Sequence, residues 1–543
     1  MNNLLDNKKN DNIRKRNILI GGAWPYANSS LHLGHLAALI SGDFLKRYHE
    51  LLGDDVLYVS GTDCHGTPIT ERAMREGVNP KEIAERYHKE FKEVFSRMNF
   101  SYDIYTKTCD EYHKKQVEEM FLKMYKNNYI YSKKSMQPYC EHCNRFEADR
   151  ELELICPNCG IVTKGDQCDC GYVPTEEDLI GATCRVCRNK TIQKENTHLY
   201  LALSKLQKEI EQYAESRKEN WRIASKNETE KYLKEGLKDR AVTRDLSWGV
   251  DIPIEGFEDK KMYVWIDAVL GYVTATKKIC EEKGLNWENF WKESSNIRMY
   301  MCHGKDNITF HTIILPALLL AMNENYHLPD VMVATQYLNI NSEKISKSKG
   351  NGITILQMIE NYNVDSLRYY MISHGPENKD VDFTIENYVS THNSDLVNKF
   401  GNFVNRTLKF KGLTTIPYGI MDEQIDNEIR KKYEIVSSHI ENLEFKKACN
   451  EIIDLIEMGN KYYDERKPWI QRKENIEEFN NTIYTCANVI ANLSNLLEPV
   501  MPEAACKLRK YLKISEPSWN KIDIKEEISL EDIGILFERI ENK

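Results

Sequence analysis

Short, wholly apolar runs alternate with longer amphipathic stretches through the first part of this 543-residue chain, and amphipathic stretches fill the last part. Asn17-Ile18-Leu19-Ile20-Gly21-Gly22 predicts a buried strand, then a turn of small and polar residues, then a helix opening on Leu36-Ala37-Ala38-Leu39-Ile40. Val56-Leu57-Tyr58-Val59-Ser60-Gly61 repeats the plan and leads through Thr62-Asp63-Cys64-His65-Gly66-Thr67-Pro68 into a helix from about Ile69. Two consecutive strand–loop–helix units imply a parallel α/β sheet. Helical patterning follows from about Pro80 to Asn128 and again over residues 197–237. Strand character returns at residues 261–268, with a helix from about Val269, and at 297–307 and 331–334. Beyond Glu386 only amphipathic helices are expected, with residues 395–406 the first well-defined one.

The predicted fold is therefore α/β, an interrupted Rossmann-like parallel-sheet domain with a cysteine-bearing insertion and a C-terminal α-helical bundle. Its expected divisions are a disordered extension over 1–16, a first sheet half over 17–110 and an insertion over 111–261. A second sheet half over 262–336, a lysine-loop segment over 337–388 and a helical domain over 389–543 complete the chain. Several domains suit the length, at roughly 100–200 residues each.

Composition narrows the classes. Hydrophobic residues at 41% and charged residues at 29% describe a soluble globular protein. The apolar stretch 313–322 is too short to span a bilayer and contains Pro316. Residues 1–16 lack the apolar centre of a secretory signal, which predicts a cytoplasmic protein. A net charge of −9 means that any nucleic acid must be held by local basic patches and shape.

Three constellations carry chemistry. The first is His32-Leu33-Gly34-His35, where a helix N-terminus offers backbone N–H groups to phosphate and two histidines share one face. Because ligands of parallel sheets sit at the carboxyl ends of strands, Asp63 and His65 are expected at the same crevice. The second is Lys344-Ile345-Ser346-Lys347-Ser348-Lys349-Gly350, a loop whose ammonium groups can reach phosphate oxygens. The third is the set of close pairs Cys140/Cys143, Cys156/Cys159, Cys168/Cys170 and Cys184/Cys187, each half of a tetrahedral thiolate site. Their pairing can be adjacent or nested, for one or two structural Zn²⁺ ions that replace a core this glycine- and charge-rich segment lacks.

Together these residues place a resemblance. His32-Leu33-Gly34-His35 resembles the HIGH signature and Lys344-Ile345-Ser346-Lys347-Ser348 the KMSKS signature of class I aminoacyl-tRNA synthetases. Within that class the chain is similar to the methionyl-tRNA synthetase family. The match is carried by Pro25-Tyr26-Ala27-Asn28, Gly61-Thr62-Asp63, the cysteine knuckles, Tyr263-Val264-Trp265-Ile266-Asp267-Ala268, Gly304-Lys305-Asp306-Asn307 and Asp365-Ser366-Leu367-Arg368-Tyr369-Tyr370. Four knuckles and Lys305-Asp306-Asn307 look closer to the archaeal and eukaryotic branch. Trp24, Val269 and Asn307 depart from the familiar bacterial pattern.

The resemblance implies a two-step ligase that makes methionyl-adenylate and pyrophosphate from methionine and ATP, then transfers methionine to the 3′ end of tRNA(Met). It implies catalytic His32, His35, Lys344 and Lys347, and ATP contacts from His32, Gly34, His35, Gly304, Asp306 and Lys347, with Mg²⁺. Methionine would lie among Trp24, Tyr26, Asp63, Val264, Trp265, Ala268, Tyr272 and His311, an apolar and aromatic lining suited to a thioether. Asn402, Arg406 and Trp469 match positions that read the anticodon, as amide, guanidinium and indole can do with splayed bases. An end at Lys543 without an oligonucleotide-binding extension implies a monomer. Rival readings are a synthetase for another amino acid, a nucleotidyltransferase, and a catalytically inactive tRNA-binding paralogue.

Overall fold

The computed structural model describes residues 15–147, 151–165, 168, 172, 174–175, 177–292, 296–340, 343–344 and 353–541, with the backbone alone at 343–344. Residues 1–14 of the expected extension lie outside the described residues.

The first half of the sheet holds β1 (Asn17–Gly22), β2 (Asp55–Thr62) and β3 (Ile104–Lys107), joined through helices α1 (Leu33–Leu52), α2 (Thr67–Glu76) and α3 (Pro80–Arg97). After α4 (Glu111–Lys126) the chain departs along a long antiparallel pair, β4 (Ile130–Cys140) with β5 (Ile192–Leu201), whose far end carries the cysteines. Helices α5 (Gln207–Arg217), α6 (Ile223–Glu235) and α7 (Val264–Lys283) bring it back, and β6 (Ile297–Gly304) and β7 (Val331–Thr335) complete the sheet. The parallel order is β7-β6-β1-β2-β3, so winding reverses at β1. A crevice opens at such a reversal, beyond the carboxyl ends of the strands.

Alternation along each strand feeds two cores. Ile18 and Ile20, Tyr58, Tyr300 and Cys302, and Val331 and Val333 enter one face, which α1 covers and which runs on into the C-terminal helices. Leu19, Leu57 and Val59, Met299 and Met301, and Met332 enter the other, under α4 and α7. A strand buried on both faces reads as an unbroken apolar run, which is why these strands are visible in the sequence.

The helical part continues from Ile385–Thr391 through His392–Gly401 and Asn402–Leu408, then Glu423–Glu441, Phe445–Arg466, Pro468–Glu474 and Ile476–Leu496. It is bolted to the sheet domain by α8 (Val364–Ser373) and α9 (Pro502–Tyr511). Arg368 of α8 is fully buried, donating to Asp43 of α1 at 2.5 Å and to the carbonyls of Met98 (3.1 Å), Val500 (3.1 Å) and Pro499 (3.3 Å). Asp365 accepts from Ala504 N, 2.7 Å away in the first turn of α9.

Local pattern misjudged four places. Residues 261–268 do not extend as a strand: only Lys261–Met262 do, and the helix starts at Val264 rather than Val269. β-branched and aromatic residues there fill a helix face packed on the sheet, so tertiary burial overrides β propensity. Residues 197–201 belong to β5, not a helix, because Leu199 and Leu201 alternate with His198 and Tyr200 at period two. The helical reading of 80–128 also hides the short edge strand β3. At the C-terminus the helices stop at Tyr511; the remaining tail contributes one strand, Ile528–Ser529, which pairs with Thr415–Ile416. No described helix is long and apolar enough to cross a membrane.

Candidate active site

At the crevice, α1 begins on a reciprocal histidine cap. His32 Nδ1 accepts from Gly34 N and His35 Nδ1 accepts from His32 N, both at 3.1 Å, with ring centroids 3.9 Å apart. With both Nδ1 atoms accepting, each ring keeps its proton on Nε2, the tautomer that can donate to phosphate. The second constellation returns to this turn. Leu33 N donates to Ile353 O (3.2 Å), Ile355 N donates to Leu31 O (2.9 Å), and His32 and Thr354 form an antiparallel bridge. Before that return, Glu343–Lys344 pairs with Leu338–Ile340. The side chain of Lys344, and the whole of Lys347, lie outside the described residues.

Gly304 closes β6 with open space where a Cβ would stand, so backbone and a ligand can approach closely there. Asp306, exposed in the turn that follows, accepts a hydrogen bond from the Tyr337 hydroxyl.

Beside this turn the loops after β1 and β2 run together. Ala27 N donates to Asp63 O and Asp63 N to Pro25 O, both at 2.9 Å. Asp63 is buried, and burial together with the Asp267 carboxyl raises it well above the usual carboxylate range. A carboxyl so placed gains most from a cation brought to it. Tyr26 accepts from Trp265 Nε1 at 2.5 Å. Because the helix starts at Val264, Trp265, Ala268 and Tyr272 fall three and four apart on one face of α7. Tyr272 donates to His311 Nε2 (2.8 Å), since His311 Nδ1 must donate to Asn307 O (2.8 Å). Burial lowers His311 to about 4, so it remains neutral. Trp24 completes the wall edge-on to Tyr272, ring centroids 6.3 Å apart.

The sequence reading missed the groups that hold this wall. Trp24 rests on two glycines: a Cβ on Gly61 would come within 2.5 Å of its ring and one on Gly271 within 2.7 Å. Phe310 packs against Trp265 and His303 stacks on His311 at 4.2 Å. His65, expected at the crevice, is buried with Nδ1 2.6 Å from Asp267 Oδ2. Burial lowers His65 to about 3 and raises Asp267, which keeps one proton between two otherwise neutral groups. Which ring faces a glycine is not written in the sequence, and neither is a histidine–aspartate pair 202 positions apart.

In the insertion the cysteines gather in nested fashion. Cys140, Cys143, Cys184 and Cys187 form one group and Cys156, Cys159 and Cys168 another, the sulfurs of each within 4.8 Å of one another. Cys170 lies outside the described residues. Sulfur separations of 3.3 Å (Cys140–Cys187), 3.9 Å (Cys143–Cys184) and 3.5 Å (Cys159–Cys168) bracket the ~3.8 Å edge of a tetrahedron with metal–sulfur bonds of about 2.3 Å. All seven are free thiols, so the donor set fits zinc.

Far from the crevice, the helix Asn402–Leu408 and the junction of Phe445–Arg466 with Pro468–Glu474 share a face. Asn402 reaches Asn460 at 3.4 Å, Arg406 pairs with Asp464 and lies 4.0 Å over the Tyr463 ring, and Trp469 stands 6.1 Å from Tyr463. Trp469 is 45% exposed, an unusual surplus of indole on a surface.

The sequence matches the family described as tRNA synthetases class I (M) over residues 18–408, and the anticodon binding domain of methionyl tRNA ligase over residues 414–542. It is 45% identical over 531 residues to methionine–tRNA ligase 1 of Alkaliphilus oremlandii, covering 97% of this chain and 98% of that one. Against methionine–tRNA ligase of Bacillus mycoides it is 44% identical over 539 residues, 97% of each chain. Mycobacterium tuberculosis methionyl-tRNA synthetase, solved in complex with methionyl-adenylate, shares the fold with a TM-score of 0.80 at 24% identity, over 97% of this chain and 100% of that one.

Proposed function

The chain belongs to the class I methionyl-tRNA synthetases, and from that premise we propose how its residues divide the reaction. It is a methionine–tRNA ligase: methionine carboxylate attacks the α-phosphorus of ATP, pyrophosphate leaves, and a terminal ribose hydroxyl of tRNA then takes the methionyl group from the adenylate. The attacking carboxylate is already ionised at neutral pH, so the first step needs alignment and charge stabilisation rather than a protein nucleophile.

Asp63 anchors the α-ammonium, and the backbone at Trp24 lies alongside. Tyr26, Val264, Trp265, Ala268, Tyr272 and His311 enclose the thioether, with the neutral His311 held by Tyr272 and Asn307. His32 and His35 donate from Nε2 to the phosphates, Gly34 brings backbone close, and Gly304 and Asp306 bound the nucleoside. Lys344 and Lys347 close from the loop. Mg²⁺ offsets charge on the triphosphate, and zinc on the cysteine groups supplies structure to the insertion. Asn402, Arg406 and Trp469 read the anticodon.

The observation that carries this reading is the pairing of residues 31–33 with 353–355, which makes the histidine turn and the exit of the lysine loop one piece of backbone beside Asp63. ATP–pyrophosphate exchange measured across the twenty amino acids is the test. Methionine alone should respond strongly; an equal response to leucine or isoleucine would overturn the pocket assignment.

A further inference from the structure

The loop between Asp63 and His65 carries a second chemistry that substrate binding does not use. β2 and β3 are parallel neighbours in register from Val59↔Ile104 to Thr62↔Lys107. Carried two positions past its last pair, into the turn at Thr108–Cys109, this register brings Cys64 beside Cys109. One backbone bond and one side-chain bond keep the segments together past the strand ends, with Thr108 N donating to Thr62 O (3.0 Å) and Cys64 N to Thr108 Oγ1 (2.9 Å). Parallel neighbours stand about 4.8 Å apart, within the roughly 4.4–6.8 Å that a disulfide bridges. The two thiols lie close enough to act on one another, the Cys64 thiol donates to Thr62 O at 3.5 Å, and both cysteines are free.

The pair is asymmetric in the way a reactive dithiol requires. Cys64 is fully buried, whereas Cys109 is 7% exposed and immediately precedes Asp110, the N-cap of α4. The neighbouring Cys64 thiol, then the Lys107 ammonium, hold the Cys109 thiol below its ordinary range, while burial raises Cys64. The positive end of α4 acts in the same direction on Cys109.

We propose that Cys64 and Cys109 form a peroxide-sensitive dithiol whose oxidation to a disulfide disables the methionine site. Cys109 thiolate attacks one oxygen of hydrogen peroxide, breaking the O–O bond to give a sulfenic acid and hydroxide, which takes up a proton as water. Cys64 sulfur then attacks the Cys109 sulfur, losing its proton to the departing hydroxyl, so that the S–S bond forms and a second water leaves. Two electrons pass from the two thiols to one peroxide. Cys64 lies between Asp63 and His65 and its carbonyl accepts from Trp248 Nε1 at 2.6 Å, so moving its sulfur drags the ammonium anchor. The effect on activity rests on Asp63 as that anchor; formation of the disulfide does not.

The zinc-loaded full-length enzyme is treated with hydrogen peroxide, alkylated and digested, and pyrophosphate exchange is followed against methionine concentration. A linked Cys64–Cys109 peptide should appear, the methionine KM should rise about tenfold or more, and dithiothreitol should reverse both. Cys109→Ser should match the untreated enzyme beforehand and keep its KM after peroxide. Separate alkylation of the two cysteines in inactivated enzyme, equal inactivation of Cys109→Ser, or loss of activity that tracks zinc release to a chelating dye would each overturn the proposal. A linked peptide with unchanged KM would overturn the coupling to Asp63, and untreated enzyme that fails to exchange with methionine would instead overturn the functional assignment.

Discussion

Gly61 shows how little room is left by the wall proposed to hold methionine. It sits in the last positions of β2, and a Cβ there meets both the Trp24 ring at 2.5 Å and the Thr106 carbonyl at 2.7 Å. The ring could tilt, but the backbone of β3 cannot withdraw without breaking its register with β2. Gly61→Ala should therefore destabilise the fold by about 1–3 kcal/mol, as overpacking does, and raise the methionine KM while leaving the ATP KM near its original value. Urea unfolding and steady-state exchange check the two parts, and a variant with unchanged stability and KM would show that Trp24 is free to move. That Tyr26, Trp265, Tyr272, His311 and Trp24 come together was expected from residue types, and the structure does bring them into contact. Gly61 and Gly271 were not, because a glycine's meaning lies in which ring faces it.

Among the elements, α8 and α1 depend most on one another. Burial alone would raise the Asp43 carboxyl, but Arg368, Arg47 and two bonds from Ser101 outweigh it and hold Asp43 at about 2. A carboxylate depressed in the folded state contributes stability that is present above its unfolded value near 3.9 and is lost as pH falls toward 2. Stability against urea should accordingly decline between about pH 4 and 2 in the parent, and Asp43→Asn should flatten that decline. Arg368→Met leaves Asp43 short of a buried partner and the carbonyls of Met98, Pro499 and Val500 without this donor, and should cost about 3–5 kcal/mol. An Arg368→Met chain as stable as the parent would show that Arg47 suffices. The Asp365–Tyr370 motif is plain in sequence, yet its work of joining α1, the end of α3 and the turn before α9 is a tertiary fact.

At the scale of the molecule, the insertion and the face around Trp469 can each be tested apart from the crevice. The cysteine-bearing insertion hangs on the β4–β5 ladder, whose near end at Ile130, Leu199 and Leu201 is buried in the core under α4 and α7. Two zinc ions per chain are expected by metal analysis. Removing them with a chelator should raise hydrogen exchange over residues 140–187 while β1 and β6 stay protected; loss of protection throughout would mean that the insertion is not an independent unit. At the opposite end, Trp469→Ala should reduce tRNA aminoacylation by about 1–3 kcal/mol of stacking per base, with exchange of pyrophosphate unaltered. A parallel fall in both would place Trp469 in the fold rather than at the anticodon.

By itself the sequence determined the parallel sheet, the helical C-terminal domain as far as Tyr511, the helix start at His32–His35 and the close cysteine pairs of the insertion. Those are matters of period and residue type, which act over a few neighbouring positions: two-sided burial writes an apolar run, and metal ligands come as close cysteine pairs. Only the tertiary structure decided that Cys140/Cys143 joins Cys184/Cys187, that α7 begins at Val264, that His65 turns to Asp267, and that residues 353–355 lie along 31–33. Each of these is a choice of partner across tens or hundreds of residues. Burial and hydrogen-bond satisfaction settle such choices only when all the competing groups are present together.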